Sequence, residues 1–168
     1  MALGITANSN KIINFTLTET DNGKTISQAD TKSLANAYTY GSGENQITNA
    51  VGVTGSVPSG AYTSLDFQSI TQTTFSSGVS VNFTGIKHIS IFNTSTGVGN
   101  DFVIRATGTA AFTNLFNGGS GNLIIKPYGY FSYDDPNIGT VVSTGNKILQ
   151  IGDGGSGVSY KIYVLGLD

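Results

Sequence analysis

Apolar and polar residues alternate with a period of two along much of the chain, starting at Ile12–Thr18. In that segment Ile13, Phe15 and Leu17 fall on one face and polar residues fall on the other, which is the pattern of a strand with one buried face. An Asp-Asn-Gly turn follows at 21–23, because Asn and Gly tolerate left-handed backbone geometry. The pattern predicts an N-terminal β-hairpin.

The next stretch, from residue 27 to residue 60, carries weaker signals. Ser27 and Asp30 have the spacing of a helix capping box, and the alanines that follow predict one short helical turn around Gln28–Asn36. From residue 38 to 60 the chain is rich in Gly, Ser and Asn, and its regular apolar marks are three valines, Val51, Val53 and Val57. This composition predicts mostly loop with one weak strand.

Beyond Pro58 the strand signals become denser and are separated by turn clusters rich in Gly, Asn and Asp. The clusters occupy residues 96–100, 117–121, 134–137 and 153–157, at intervals that suit hairpins. Strands do not alternate with helical patterns, so a parallel sheet is not indicated. The predicted strands are Tyr62–Ile70, Val79–Phe83, Lys87–Asn93, Phe102–Thr107, Asn122–Lys126, Tyr128–Tyr133, Lys147–Ile151 and Ser159–Leu165.

Two antiparallel sheets packed face to face would hide the apolar faces of these strands about 10 Å apart. We therefore predict an all-β fold, a single-domain antiparallel β-sandwich of jelly-roll type spanning residues 1–168. Residues 1–36 would form an N-terminal hairpin or attachment segment, and no linker or composition break divides the chain. The expected core contains Ile89, Ile91, Phe102, Ile104, Leu149, Ile151, Tyr160, Ile162 and Val164.

Composition narrows the classes of function. Of the 168 residues, 77 are Gly, Ser, Thr or Asn, whereas the chain has one His, no Cys, eight basic and ten acidic residues. Disulfides, thiol nucleophiles and Cys-bound zinc are excluded, and no cofactor is expected. A net charge of −2 with scattered basic residues argues against nucleic-acid binding. No basic segment precedes a long apolar run, so neither a signal peptide nor a membrane anchor is expected.

Few residues could carry out catalysis. A Ser-His-Asp triad or a metal site would have to be centred on His88, which we interpret instead as a packed or hydrogen-bonded residue of a sheet. Asp134 and Asp135 could contribute to a glycosidase-type carboxylate pair, but adjacent side chains in a strand point apart. Turn formation next to Pro136 is the interpretation we favour for them. The sequence therefore predicts a protein that is not an enzyme.

The densest aromatic group of the chain lies at residues 128–133. Alternation places Tyr128 and Tyr130 on one face of the predicted strand and Phe131 and Tyr133 on the other. One set would pack in the core and the other would face solvent or a neighbouring subunit, and core or interface packing is favoured over a sugar-stacking platform. The candidate interface or ligand-contact residues are Tyr38, Tyr128, Tyr130, Tyr133 and Asp134.

Two parts of the chain resemble small virion structural proteins of tailed bacteriophages. Residues 17–26, LTETDNGKTI, are similar to the LT-x-x-D-x-G-K-T opening of many phage structural polypeptides. Residues 122–129, NLIIKPYG, followed by the segments at 147–151 and 160–166, resemble a C-terminal block in which a Pro/Gly corner precedes two strands. The two regions that contain these motifs, residues 17–26 and 122–166, together span about a third of the chain.

This resemblance implies a non-enzymatic role as a capsid decoration or cement protein or as a head-fibre subunit. Such proteins act by self-association and by binding the major capsid protein or a tail lattice, so we expect a homo-oligomer, a trimer by three-fold closure, in virions assembled in the host cytoplasm. The alternative is a receptor-binding or lectin-like module of a phage tail fibre or tip, in which loops at residues 38–49 and 134–137 bind host glycans.

Overall fold

The computed structural model describes the backbone of residues 7–21, 24–73, 78, 80–116 and 121–168, and within these ranges the side chains from residue 37 onward. Strands dominate, and the only helical element described is a short 3₁₀ turn at Thr113–Phe116. In chain order the strands are β1 (Ala7–Asp21), β2 (Lys24–Tyr40), β3 (Gln46–Ile47), β4 (Asn49–Val57), β5 (Tyr62–Asp66), β6 (Ile70–Thr71), β7 (Ser80–Val81), β8 (Gly85–Asn93), β9 (Phe102–Arg105), β10 (Asn122–Ile125), β11 (Tyr130–Asp134), β12 (Thr140–Val141), β13 (Ile148–Asp153) and β14 (Val158–Leu167).

Two antiparallel sheets form the main body of the fold. One has the strand order β10-β9-β13-β5, and the other has the order β11-β8-β14-β4 with the short strand β12 also paired to β8. Each sheet contributes one apolar face to a shared core, which is how two sheets with alternating patterns exclude water from both. The predicted all-β sandwich is confirmed.

The predicted core residues are all buried. The four from the β9 and β13 strands are fully inaccessible to solvent, and those from β8 and β14 face them across the sandwich. Phe67 and Phe112 add an edge-to-face aromatic pair with ring centroids 4.9 Å apart. The buried predicted residues are Ile89, Ile91, Phe102, Ile104, Leu149, Ile151, Tyr160, Ile162 and Val164.

β1 and β2 form an antiparallel pair at the N-terminus, and the helical turn predicted at Gln28–Asn36 is wrong. β1 and β2 pair in one continuous register from Ala7 opposite Tyr38 to Asp21 opposite Lys24, so residues 28–36 belong to a strand. A nine-residue helix is marginal by itself in water, whereas this ladder pairs the same backbone groups over fifteen positions. The predicted turn residues Asn22 and Gly23 lie outside the described residues.

The prediction of mostly loop between residues 38 and 60 is also wrong. β4 is a nine-residue strand that pairs with β14 along its whole length, and Val51, Val53 and Val57 are buried. Gly55, which weakens the strand signal in the sequence, is required by packing. A Cβ at this position would lie 2.7 Å from the Tyr160 hydroxyl, closer than side chains tolerate.

Two other boundaries differ from the expectation. The predicted strand Tyr62–Ile70 is interrupted after Asp66, whose carboxylate accepts a hydrogen bond from Gln68 N at 2.9 Å in an Asx turn. β6 begins only at Ile70. The turn predicted at residues 117–121 falls mostly outside the described residues. The prediction of a hairpin tip at 153–157 is wrong, because this segment connects β13 to β14, which belong to different sheets and do not pair with each other.

Candidate functional site

The solvent side of the sheet β11-β8-β14-β4 carries most of the polar and aromatic side chains that sequence reasoning singled out. Because residues directly opposite each other share a face, the strand register divides this surface into rows. We call this surface the outer face. Its rows, from one end to the other, are Asp134-His88-Leu165-Ala50, Ser132-Ser90-Tyr163-Gly52 and Tyr130-Phe92-Lys161-Thr54.

The first two rows contain a hydrogen-bonded chain of polar side chains. His88 Nδ1 lies 2.6 Å from Asp134 Oδ1, and His88 Nε2 lies 2.6 Å from Ser90 Oγ. A carboxylate only accepts hydrogen bonds, so this geometry assigns the proton to Nδ1 and leaves Nε2 to accept from the Ser90 hydroxyl. The Ser90 and Ser132 hydroxyl oxygens are 3.4 Å apart. His88 is therefore a hydrogen-bonded sheet residue, as predicted, although its carboxylate partner was missed.

Tyr38, at the end of β2, covers this polar chain. Its side chain is fully buried, and its hydroxyl donates toward Lys87 O at 3.2 Å and Asp134 Oδ1 at 3.3 Å. Burial, together with the nearby Asp134 carboxylate, raises the pKa of Tyr38 well above its usual range, so the phenol stays protonated and donates. A ligand contact by Tyr38 would require this segment to move.

Lys87 lies beside the same region at a bulge in β8. The register between β8 and β14 shifts there, because Leu165 pairs with His88 whereas Gly166 pairs with Ile86. The buried Lys87 side chain donates from Nζ to Gly43 O at 2.5 Å and to Asn137 O at 2.8 Å. Burial lowers the pKa of Lys87, an effect that Asp135 and Glu44 partly oppose.

The loops at 38–49 and 134–137, which the sequence analysis grouped as a recognition surface, do contact each other. Asn45 N donates to Pro136 O at 2.9 Å, and Lys87 bridges both loops through its two carbonyl acceptors. Three of the side chains involved, Tyr38, Lys87 and Asp134, are mostly buried and hydrogen-bonded. The polar groups at this end of the outer face are therefore hydrogen-bonded to one another and to the two loops.

Ser90, His88 and Asp134 contact one another in the order of a serine-hydrolase triad. Whether they could act as one depends on the backbone N–H groups and cavities around Ser90. β8 pairs with a strand on each side at Ser90, and its backbone N–H groups there face neighbouring strands. A triad needs two N–H donors aimed at the developing oxyanion and a substrate cavity beside the nucleophile. Neither of the described cavities is lined by Ser90. The geometry supports a network that joins β8, β11 and Tyr38.

The third row presents aromatic rings to solvent. Phe92 and Tyr130 stack with centroids 5.8 Å apart, and Tyr163 meets Phe92 edge-on at 6.1 Å. Tyr130 is 59% exposed and Phe92 is 36% exposed, whereas core aromatics such as Phe83 are inaccessible. Exposed, contiguous aromatic surface of this kind is typical of a contact site. Sequence reasoning found Tyr130 but missed Phe92 and Tyr163, because their proximity depends on the strand register.

The predicted split of the aromatic group at 128–133 is present in the structure. Tyr130 lies on the outer face, while Phe131 and Tyr133 pack against the core, where the Tyr133 hydroxyl lies 2.8 Å from Thr140 Oγ1. Tyr128 precedes β11 in a tight turn with φ of +62° and is 74% exposed. The structure thus brings Tyr130 and Asp134 to one face, places Tyr128 at its edge, and turns Tyr133 inward.

Among the described residues, no three His, Cys, Asp or Glu side chains come together in a way that could hold a cation. In the same part of the chain, no helix has the length and apolarity needed to cross a membrane.

Comparison with protein-family models finds no match to this chain, and comparison with curated proteins finds none either.

Proposed function

We propose that the protein is a non-enzymatic structural subunit of a bacteriophage virion, either a capsid decoration or cement protein or a head-fibre subunit. The proposal is supported by the scaffold-like composition, by the resemblance of residues 17–26 and 122–129 to phage structural proteins, and by the β-sandwich fold. Fold alone does not fix function, so a feature suited to assembly is also needed.

That feature is the N-terminal pair of strands, the observation that carries the proposal. β1 pairs with β2 over fifteen positions, a length of about 45–50 Å at roughly 3.4 Å per residue. Within the described residues β1 pairs with no third strand, so its outer edge presents unpaired N–H and C=O groups. A long open edge is a template for strand addition, which suits docking on a lattice or on other copies.

We also propose that the sandwich is a jelly roll. Its eight longer body strands form four nested antiparallel pairs: β4 with β14, β5 with β13, β8 with β11, and β9 with β10. Such nesting is what results when one long hairpin folds over itself into two sheets, and jelly rolls occur in viral capsid and lectin domains.

The partners proposed are further copies of this chain, closed as a trimer, and the major capsid protein or a tail lattice. Three-fold closure would use the same β1 edge in each copy, because a cyclic contact repeats one surface pair around the axis. Neither nucleic acid nor a membrane is proposed as a partner, and the site of action is the virion.

The test is whether the protein is incorporated into particles. Mass spectrometry of gradient-purified phage should find the full chain at a fixed copy number per particle. A chain lacking residues 1–36 should be absent from particles, whereas the matched control Ser64→Ala, an exposed change on β5, should be incorporated normally. Particles that lack the full chain, or that incorporate the truncated chain equally, would contradict the proposal.

A second candidate function is recognition of host glycans by a receptor-binding module of a tail fibre or tip. The exposed aromatic row of Tyr130 and Phe92 favours it, because aromatic faces pack well against the C–H faces of sugar rings. The loops at 38–49 and 134–137 support glycan recognition less well, because Tyr38 and Asp134 are hydrogen-bonded to each other.

A further inference from the structure

A cleft of about 550 Å³ opens at the end of the sandwich opposite Tyr38. It lies between the connections β4–β5, β8–β9 and β13–β14, and its volume is within the roughly 300–1,000 Å³ of typical small-ligand sites. The lining residues are Ser56, Val57, Pro58, Ser59, Thr94, Ser95, Thr96, Asn100, Ser156, Gly157, Val158 and Ser159.

The lining combines many hydroxyl groups with a few apolar patches and has no ionisable side chain. The hydroxyls of Ser95 and Ser59 are already engaged, with Ser159 N and Gly155 O respectively. The other five hydroxyl groups of the lining have no hydrogen-bond partner in the described part of the chain and are therefore open to a ligand: Ser56, Thr94, Thr96, Ser156 and Ser159. Hydroxyls that both donate and accept suit a ligand that is itself rich in hydroxyls.

Two charged groups near the cleft, Asp153 and Asp101, are already paired, whereas Lys161 in the aromatic row is exposed. Asp153 accepts hydrogen bonds from Gly60 N at 2.9 Å and from Ser156 N at 3.0 Å, and Asp101 forms an ion pair with Lys126 at 2.7 Å. The lining itself has no ionisable side chain, so an ionic ligand inside the cleft would lose its hydration without forming an ion pair with a lining residue. This chemistry selects for a neutral ligand.

The cleft is continuous with the aromatic row of the outer face. Thr94 follows Phe92 by two residues and Ser159 precedes Lys161 by two, so strand alternation places both hydroxyls on the outer face about 7 Å beyond the aromatic row. Thr94 N also donates to Ser159 O at 2.9 Å, which holds the two walls together. The aromatic row and the hydroxyl groups of the cleft thus lie side by side.

Tyr128 lies in an exposed turn near the same end of β8 as the cleft. Its turn is fixed to the end of β8 because Asn93 N donates to Gly129 O at 3.0 Å. The Lys126–Asp101 ion pair further connects this turn to the loop that carries Asn100. These two contacts place the turn that contains Tyr128 close to the cleft.

We propose that this cleft, together with Phe92 and Tyr130, binds a neutral oligosaccharide. Sugar hydroxyls would exchange hydrogen bonds with Thr94, Ser159 and Asn100, while the C–H face of a neighbouring sugar packs on the aromatic row. The inference rests on the second candidate function above and not on the virion role, and it moves recognition to the end of the sandwich opposite residues 38–49.

The experiment uses the full chain on an array of neutral oligosaccharides built from glucose, galactose, mannose and N-acetylglucosamine, with sialylated and sulfated glycans alongside. The strongest neutral hit is then titrated by calorimetry. We expect at least tenfold weaker binding for Thr94→Val combined with Ser159→Ala, and for Phe92→Ala. Ser64→Ala, a hydroxyl removed from the other sheet, should bind as the wild type does.

Backbone amide shifts provide a readout that does not depend on the variants. On adding the same oligosaccharide to the wild type, the perturbed amides should cluster at Thr94, Asn100, Ser156 and Ser159. No neutral hit, unchanged affinity in the cleft variants, perturbations elsewhere, or a preference for anionic glycans steered by Lys161 would each overturn the proposal. Light scattering of the variants separates this failure from failure of the virion role, because assembly through β1 does not involve the cleft.

Discussion

His88 and Asp134 lie directly opposite each other on β8 and β11, with imidazole Nδ1 2.6 Å from carboxylate Oδ1. Both side chains are shielded from solvent, and both have a second partner: Ser90 for the histidine and Tyr38 for the aspartate. Through these polar contacts, the pair joins the sheet that contains β8 and β11 to the end of β2.

Asp134→Asn should lower the free energy of unfolding by about 1–3 kcal/mol, because the neutral amide oxygen is a weaker acceptor than the carboxylate for the Tyr38 and His88 donors and the added NH₂ group must find an acceptor in a buried site. Urea unfolding at pH 7 measures this change. The matched control is Asp101→Asn, which breaks an ion pair whose lysine is 74% exposed and should cost less than about 1 kcal/mol. Equal effects of the two variants would show that the buried hydrogen bonds of Asp134 add no more stability than an exposed ion pair.

Ser90 should not react as an activated nucleophile, although His88 Nε2 is 2.6 Å away. Neither described cavity reaches it, and its strand amides face neighbouring strands rather than an open oxyanion position. Incubation with a fluorophosphonate followed by intact mass spectrometry should show no adduct. An adduct that disappears in both Ser90→Ala and His88→Ala would contradict the proposal that the protein is not an enzyme.

Asp153 should contribute stability that acid removes. Burial alone would raise the pKa of Asp153, but hydrogen bonds from four backbone N–H groups outweigh burial and hold the pKa below its ordinary 3.8. Since the folded-state pKa is depressed, this stability is present above the ordinary pKa and is lost as pH falls through the folded value. The donors are Gly157, Gly60, Gly155 and Ser156.

Asp153→Asn should therefore lower the melting temperature at pH 7 and flatten its decrease on acidification below about pH 4. Melting temperatures of both proteins across that range measure the effect. Asp135→Asn serves as the control, because it leaves the amide contacts of Asp153 intact and should keep the wild-type acid slope. A parallel decrease in Asp153→Asn and wild type would mean that this carboxylate does not govern the acid limb.

Gly152→Ala should destabilise the sheet that contains β13 by about 1–3 kcal/mol. The Tyr62 ring covers Gly152 from β5, so a Cβ would overlap the ring atoms and displace it. The displacement would also disturb Arg105, whose guanidinium carbon lies 3.4 Å from the centre of the same ring. Chemical denaturation should show this loss and little change for Gly145→Ala, where a Cβ meets open space.

Sequence alone predicted the features that depend on local alternation. Ile89 and Ile91 were placed in the core, and Tyr130 and Tyr133 on opposite faces, because a period of two reports on the pleat itself. Local sequence patterns predicted the wrong element where a strand is stabilised by pairing with residues distant in the chain. Residues 28–36 pair with β1, and β4 contains Gly55, which leaves room for the Tyr160 side chain, so intrinsic propensity understated both strands.

The candidate site was harder to predict because it is formed by register. Asp134 and His88 are separated by 46 residues in the chain, and Phe92 reaches Tyr130 only because β8 and β11 pair in one particular alignment. The alternating run His88, Ser90, Phe92 was visible in the sequence as one face, but nothing local indicated which side chains would lie across from it. Tyr128 was predicted to begin a strand, whereas it occupies a left-handed turn.

Assembly through the N-terminal strands is the role that we propose for this chain, and multi-angle light scattering of the full chain over a wide concentration range measures it. We expect three times the 17.4 kDa of one chain, and a shift to monomer when β1 is interrupted by Phe15→Pro, since proline cannot donate to a strand ladder. A monomer at every concentration, or a trimer that persists in Phe15→Pro, would contradict it.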